Sequence, residues 1–79
     1  MEYMVTIRLA VGLRHHIEGE EEIRVEADGF IHIIESLRIK KDEIGIVLLN
    51  NVPVNAKERQ ELHLLDEDIV DIYPIFGGG

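Results

Sequence analysis

The sequence predicts an α+β roll, four or five strands around one helix. Three observations carry that prediction: two stretches that alternate apolar and polar residues, one stretch with apolar residues at helical spacing, and two later apolar runs of strand length bounded by turns. Seventy-nine residues leave room for one domain at most, and a 46% apolar share interleaved with the charges suits a chain that folds. Such a short chain buries only about 60% of its unfolded surface, so its core has to be regular.

From Tyr3 to Ala10, Val5, Ile7 and Leu9 fall on one face and Met4, Thr6, Arg8 and Ala10 on the other, the period of a half-buried strand. Val11 to Gly19 breaks the pattern and reads as a connection. Glu20 to Ala27 resumes it with Ile23, Val25 and Ala27 inward, so the two strands are expected to pair as an antiparallel hairpin. Asp28-Gly29 is a break with capping chemistry. Phe30, Ile33, Ile34 and Leu37 then recur at i, i+3, i+4 and i+7, which predicts one amphipathic helix covering the sheet, with Lys40-Lys41 suited to the negative end of its dipole.

Ile44-Gly45-Ile46-Val47-Leu48-Leu49 is a continuous apolar run, either a central strand covered on both faces or one whose outer face meets a partner. Asn50-Asn51 supplies a turn, and Val52-Pro53-Val54 fits only a short edge strand because Pro53 cannot donate to a ladder. Asn55 to Glu61 reads as a polar loop, Leu62-His63-Leu64-Leu65 as a turn of helix or a hydrophobic plug, and Asp66-Glu67-Asp68 as another turn. Ile69 to Tyr73 is the last strand, ending at Pro74.

Eight Lys and Arg against sixteen Asp and Glu leave a formal charge of −8, which opposes a phosphate surface and points to a basic protein partner rather than nucleic acid. No apolar run approaches the roughly 18 residues of a membrane span, and the N-terminus carries an acid where a signal peptide wants bases. With no cysteine as well, the chain is expected in the cytoplasm and without a membrane partner.

Catalytic chemistry finds little to work with. Thr6 and Ser36 are the hydroxyl nucleophiles, each in or beside a structural element, and no glycine-rich loop precedes a helix to hold a phosphate. His15 and His16 are neighbours whose side chains diverge in most backbones, while His32 and His63 stand alone, so no metal site is expected. Glu20-Glu21-Glu22 and Asp66-Glu67-Asp68 read as solvated turns, not as a catalytic pair.

The end of the chain remains. After Pro74-Ile75-Phe76 come three glycines, and the tail is open to more than one reading: a frayed end, an appended remnant, or a functional thread. The chemistry of the last is specific. Residues without Cβ pass through channels too narrow for side chains, and at about 3.3 to 3.6 Å per extended residue three of them reach about 10 Å beyond a folded body. Such a tail could carry the Gly79 carboxylate into a partner's active site, where it would first need activation, as an acyl-adenylate made by an enzyme holding ATP and a metal ion. Strand period points the same way: with Val70 and Ile72 inward, Asp71 and Tyr73 turn outward, and Ile75 and Phe76 fall just past the strand. An apolar docking patch is therefore expected around the root of the tail, rimmed by Asp66, Glu67, Asp68 and Asp71.

The run Asp68-Ile69-Val70-Asp71-Ile72-Tyr73-Pro74-Ile75-Phe76-Gly77-Gly78-Gly79 resembles the C-terminus of the MoaD/ThiS family of ubiquitin-like sulfur carriers. Ala10-Val11-Gly12-Leu13-Arg14 followed by Gly19-Glu20-Glu21 is similar to the family's first hairpin. The likeness implies a β-grasp domain over 1–76 with a mixed sheet packed on one helix, and a flexible glycine tail over 77–79. It implies that Gly79 is adenylated and then converted to a thiocarboxylate, with Gly78 threading beside it and Tyr73, Ile75, Phe76 and Gly77 meeting the partner. Pro74 and Tyr73 look more like the small subunit of molybdopterin synthase than like the thiamine carrier, whereas Gly77 departs from the small non-glycine residue common in the family. The expected partners are a ubiquitin-activating-type adenylating enzyme and the synthase large subunit, with no cofactor on this chain. Thiamine or tRNA thiolation, conjugation to protein lysines, and an unmodified β-grasp interaction module are the alternatives.

Overall fold

The computed structural model describes residues 3–75. Strands β1 (Tyr3–Leu9), β2 (Glu22–Ala27), β3 (Ile44–Leu49), β4 (Val52–Pro53) and β5 (Ile69–Pro74) form one mixed sheet in the order β2-β1-β5-β3-β4. The antiparallel β1–β2 hairpin puts Val5 opposite Val25 and Ile7 opposite Ile23, as the two alternating stretches predict. β5 lies at the centre, parallel to β1 and antiparallel to β3.

Helix α1 (Phe30–Leu37) lays the predicted stripe across the inner face of the sheet, with Phe30, Ile33 and Ile34 buried and Leu37 partly so. Beneath it lie Val5, Ile7, Leu9, Val47, Val70 and Ile72, each 2% exposed or less. At about 1.5–3 kcal/mol per fully buried aliphatic side chain, this cluster is the main stabilising force of the fold. Leu64 is a plug and not a turn of helix: it is 1% exposed, and its N–H donates to the Asp28 carbonyl at 2.9 Å.

Four details differ from the sequence expectation. The N-cap of α1 is Gly29, within the Asp28-Gly29 break, but its end is capped by Arg38 in the left-handed region and no basic residue stands in its last turn, so Lys40 and Lys41 lie beyond the reach of the helix dipole. Lys40 instead caps a short 3₁₀ turn, Lys41–Glu43. The connection after β1 is itself a 3₁₀ helix, Val11–Ile17, anchored by buried Leu13 and Ile17. The polar stretch after Val54 holds helix α2 (Ala56–Gln60), started by a capping box in which Asn55 Oδ1 accepts the Glu58 N–H at 2.8 Å and Glu58 Oε1 accepts the Asn55 N–H at 3.3 Å. No residue of α2 is fully buried, so it is fastened by a polar clamp: Arg59 Nη2 donates to the Gly45 carbonyl at 2.8 Å and Arg59 Nε to the Val54 carbonyl at 3.3 Å. That clamp covers the part of β3 that two-residue β4 leaves unpaired.

No helix among the described residues is long and apolar enough to cross a membrane.

Candidate functional site

The sheet delivers the chain end from its middle. β5 runs between β1 and β3, and the described chain leaves it at Pro74 and Ile75. Three contacts fix that exit. The Ile75 N–H donates to the Glu43 carbonyl at 3.0 Å. Pro74 packs on Gly12 in the first 3₁₀ helix, where a Cβ would stand 3.1 Å from Pro74 Cγ. Gly45 sits at an irregularity in the β3–β5 ladder, between the Ile44–Pro74 and Ile46–Tyr73 pairs. A Cβ on Gly45 would lie 2.6 Å from the Pro74 oxygen, so only glycine lets β3 approach the exit this closely.

On the outer face, Tyr73 and Ile46 are cross-strand partners, 37% and 52% exposed, and Ile75 just beyond is 52% exposed. Three partly exposed apolar side chains therefore lie at the end of the described residues. The continuous apolar run of β3 is therefore not covered on both faces: its inner residues Ile44 and Val47 are buried while Ile46 faces outward. Phe76, Gly77, Gly78 and Gly79 lie outside the described residues.

Asp71 turns to the outer face, as period two requires, but it is not at the surface. It is 6% exposed, and its Oδ1 accepts the Arg8 Nε–H at 2.8 Å across the β1–β5 pair. Its Oδ2 is buried without a protein partner. A mixed-charge groove of about 430 Å³ runs past this pair, bordered by Val11, Arg14, Glu21, Glu22 and Tyr73. The predicted acidic rim does not form around the exit. Asp66, Glu67 and Asp68 lie at the opposite end of β5, where Asp66 Oδ1 accepts the Met4 N–H at 2.9 Å, Glu67 pairs with Arg24 at 2.8 Å, and Asp68 accepts the Leu65 N–H at 2.8 Å. Those carboxylates hold a turn, and buried Asp71 closes the sheet face.

Other groups gather beside the exit. The His15 and His16 rings do not diverge: their centroids are 4.2 Å apart at an interplanar angle of 36°. His16 Nε2 lies 3.1 Å from Glu43 Oε1, and Glu43 Oε2 accepts the Lys40 N–H at 2.7 Å. The Lys40 N–H first, and His16 after it, hold the Glu43 carboxyl below the ordinary carboxylate range. The sequence gives no signal for this cluster, because Glu43 is 27 residues from His16. Thr6 is half-buried in β1 and Ser36 exposed on α1.

The chain superposes on the solution structure of small archaeal modifier protein 1 (SAMP1) from Methanosarcina acetivorans with a TM-score of 0.78, 24% identity, and coverage of 100% of this chain and 99% of that one. The fold is the ubiquitin-like β-grasp. The same β-grasp matches the Haloferax volcanii HVO 2177 protein (TM-score 0.73, 19% identity, 99% and 88% coverage). It also matches a chain in the complex of subunits 1 and 2 of the molybdopterin-converting factor from Helicobacter pylori 26695 (TM-score 0.66, 20% identity, 96% and 99% coverage). No family model matches the chain, and no curated protein matches it.

Proposed function

We propose that this β-grasp chain is a sulfur carrier whose reactive group is the Gly79 carboxylate, and that it belongs with the MoaD/ThiS-type carriers. The observation that carries the reading is the exit: the central strand releases the chain at Ile75, pinned to Glu43 and flanked by exposed Ile46 and Tyr73, four residues before Gly79. A partner that docks on those side chains would receive a thread of three glycines reaching about 10 Å. In the partner, the carboxylate attacks the α-phosphorus of ATP, pyrophosphate leaves, and an acyl-adenylate forms. A persulfide sulfur of the donor then displaces AMP to give an acyl disulfide, and a second thiol, acting as the reductant, attacks the donor's sulfur, so that the donor leaves in a new disulfide and a thiocarboxylate remains on Gly79. ATP and the metal ion belong to the partner, and this chain supplies a positioned carboxylate without catalysing the step. Molybdopterin biosynthesis is the proposed destination of the sulfur, with the synthase large subunit as second partner; the likeness to a chain of the molybdopterin-converting factor supports it. The cytoplasm is the proposed compartment.

The higher superposition on a protein named as a modifier favours one second reading, conjugation of the same activated carboxyl to a lysine amine. The two share adenylation and differ in the nucleophile that displaces AMP, so the product identifies the branch: a thiocarboxylate in one case, an isopeptide in the other.

Docking has its own test. Tyr73→Ala combined with Ile75→Ala is expected to weaken binding to the adenylating enzyme by about 2 kcal/mol or more, because truncated apolar anchors dominate interface energetics. The melting temperature should stay close to wild type, since both side chains are exposed. Calorimetric titration against the enzyme, beside a thermal melt of each variant, measures both. Wild-type affinity in the folded double variant would move the docking surface elsewhere.

A further inference from the structure

We propose that His15, His16 and Glu43 form a binding site for a zinc-type divalent cation at the base of the C-terminal exit. The site is independent of the sulfur-carrier reading and rests on geometry. In an extended strand adjacent side chains point to opposite faces, and in a 3₁₀ helix they are about 120° apart, so two neighbouring histidines ordinarily serve different surroundings. Here both belong to the 3₁₀ helix Val11–Ile17, yet their rings lie together and one ligand atom from each comes within 4.8 Å of the other and of a Glu43 carboxylate oxygen. Bonds of about 2.0–2.2 Å to a tetrahedral ion would set these atoms about 3.3 Å apart. His16 Nε2 and Glu43 Oε1 are already 3.1 Å apart, so closure falls mainly to His15, an exposed side chain free to rotate.

The donor set selects the ion. Two imidazoles and one carboxylate suit zinc, nickel or copper, whereas magnesium and calcium prefer oxygen donors. Glu43 is also oriented from behind, since its Oε2 takes the Lys40 N–H while Oε1 faces His16. Such outer hydrogen bonds hold a carboxylate ligand in place. On binding, His16 Nε2 gives its lone pair to the ion, and the ring proton resides on Nδ1 or passes to solvent. Three protein ligands leave the fourth position to water.

The location gives the site a consequence. Glu43 reaches the ion through its side chain and Ile75 through its backbone carbonyl, so an ion would tie the first 3₁₀ helix to the residue that pins the exit. Occupancy would stiffen the root of the tail.

Titration of the metal-free full chain with Zn²⁺, and separately with Co²⁺ to read the ligand-field bands, tests this. One ion per chain is expected, with tetrahedral Co²⁺ absorption, and Mg²⁺ should give neither saturation nor a change in melting temperature. His15→Ala and Glu43→Gln should each weaken Zn²⁺ binding at least tenfold, while His63→Ala should not. His15 is exposed and Gln can still accept the Lys40 N–H, so circular dichroism should show both variants folded. In amide spectra, Zn²⁺ should shift the Ile75 resonance in the wild-type chain and leave it in place in His15→Ala. Absence of a saturable site, or binding that survives both His15→Ala and Glu43→Gln, would overturn the proposal.

Discussion

Ile33→Asp is expected to abolish the cooperative thermal transition. Ile33 is 0% exposed on the stripe of α1 that covers the sheet, so an aspartate there is cut off from solvent among apolar side chains. An uncompensated buried charge costs about 3–5 kcal/mol, against a total stability of about 5 kcal/mol for a domain of this size. The next residue gives the contrast. Ile34 is also buried, but it borders a small cleft of about 130 Å³ between α1 and α2 that Lys41 and Arg59 also line. Ile34→Asp could meet a guanidinium, so it should destabilise less and melt at a reduced but measurable temperature. Differential scanning calorimetry of the two variants measures the gap, and a wild-type melt for Ile33→Asp would contradict the assigned core.

Gly45→Ala should cost on the order of 3 kcal/mol although it adds one methyl group, because overpacking against atoms that cannot rotate away strains the backbone itself. The added Cβ would meet the Pro74 oxygen at 2.6 Å, the Pro74 carbonyl carbon at 3.0 Å and Ile75 Cα at 3.2 Å, all main-chain atoms. Relief requires β3 and the end of β5 to part. That movement strains the Ile75–Glu43 hydrogen bond, so amide exchange at Ile75 should accelerate more than at Val47 in the strand interior. A Gly45→Ala chain with unchanged melting temperature and unchanged exchange at Ile75 would show that the close approach does not hold the exit.

How much of this was visible in the chain itself follows from what local pattern can encode. Period two exposed β1 and β2, and the 3.6 period at Phe30, Ile33, Ile34 and Leu37 exposed α1, because each of these elements buries one face and leaves the other more open to solvent, whereas β5 was legible as a short apolar run bounded by turns. Helix α2 escaped for the complementary reason: it buries no full side chain, and its one announcement was the Asn55-x-x-Glu58 box. The 3₁₀ helix Val11–Ile17 offered two buried residues four apart, too few to define a period. Pairings across the sequence left no local trace. The Arg8–Asp71 contact spans 63 residues, so an aspartate that alternation places on an outer face proved buried beneath a guanidinium. The same applies to His15, His16 and Glu43, and to Gly45, which looks like one more residue of an apolar run until the exit chain is placed against it. At the site, Tyr73 and Ile75 were nameable in advance because strand period and chain order fix their position, whereas Ile46 needed the β3–β5 register.

The most direct measurement of the carrier proposal is the intact mass of the full 79-residue chain after incubation with a ubiquitin-activating-type adenylating enzyme from the same genome, ATP, magnesium and a sulfur donor. The expected result is a gain equal to one exchange of oxygen for sulfur, mapped to Gly79 by fragmentation and absent in a chain lacking Gly79 that keeps the wild-type melting temperature. An unchanged mass, with an enzyme that demonstrably activates another carrier in the same reaction, would contradict it.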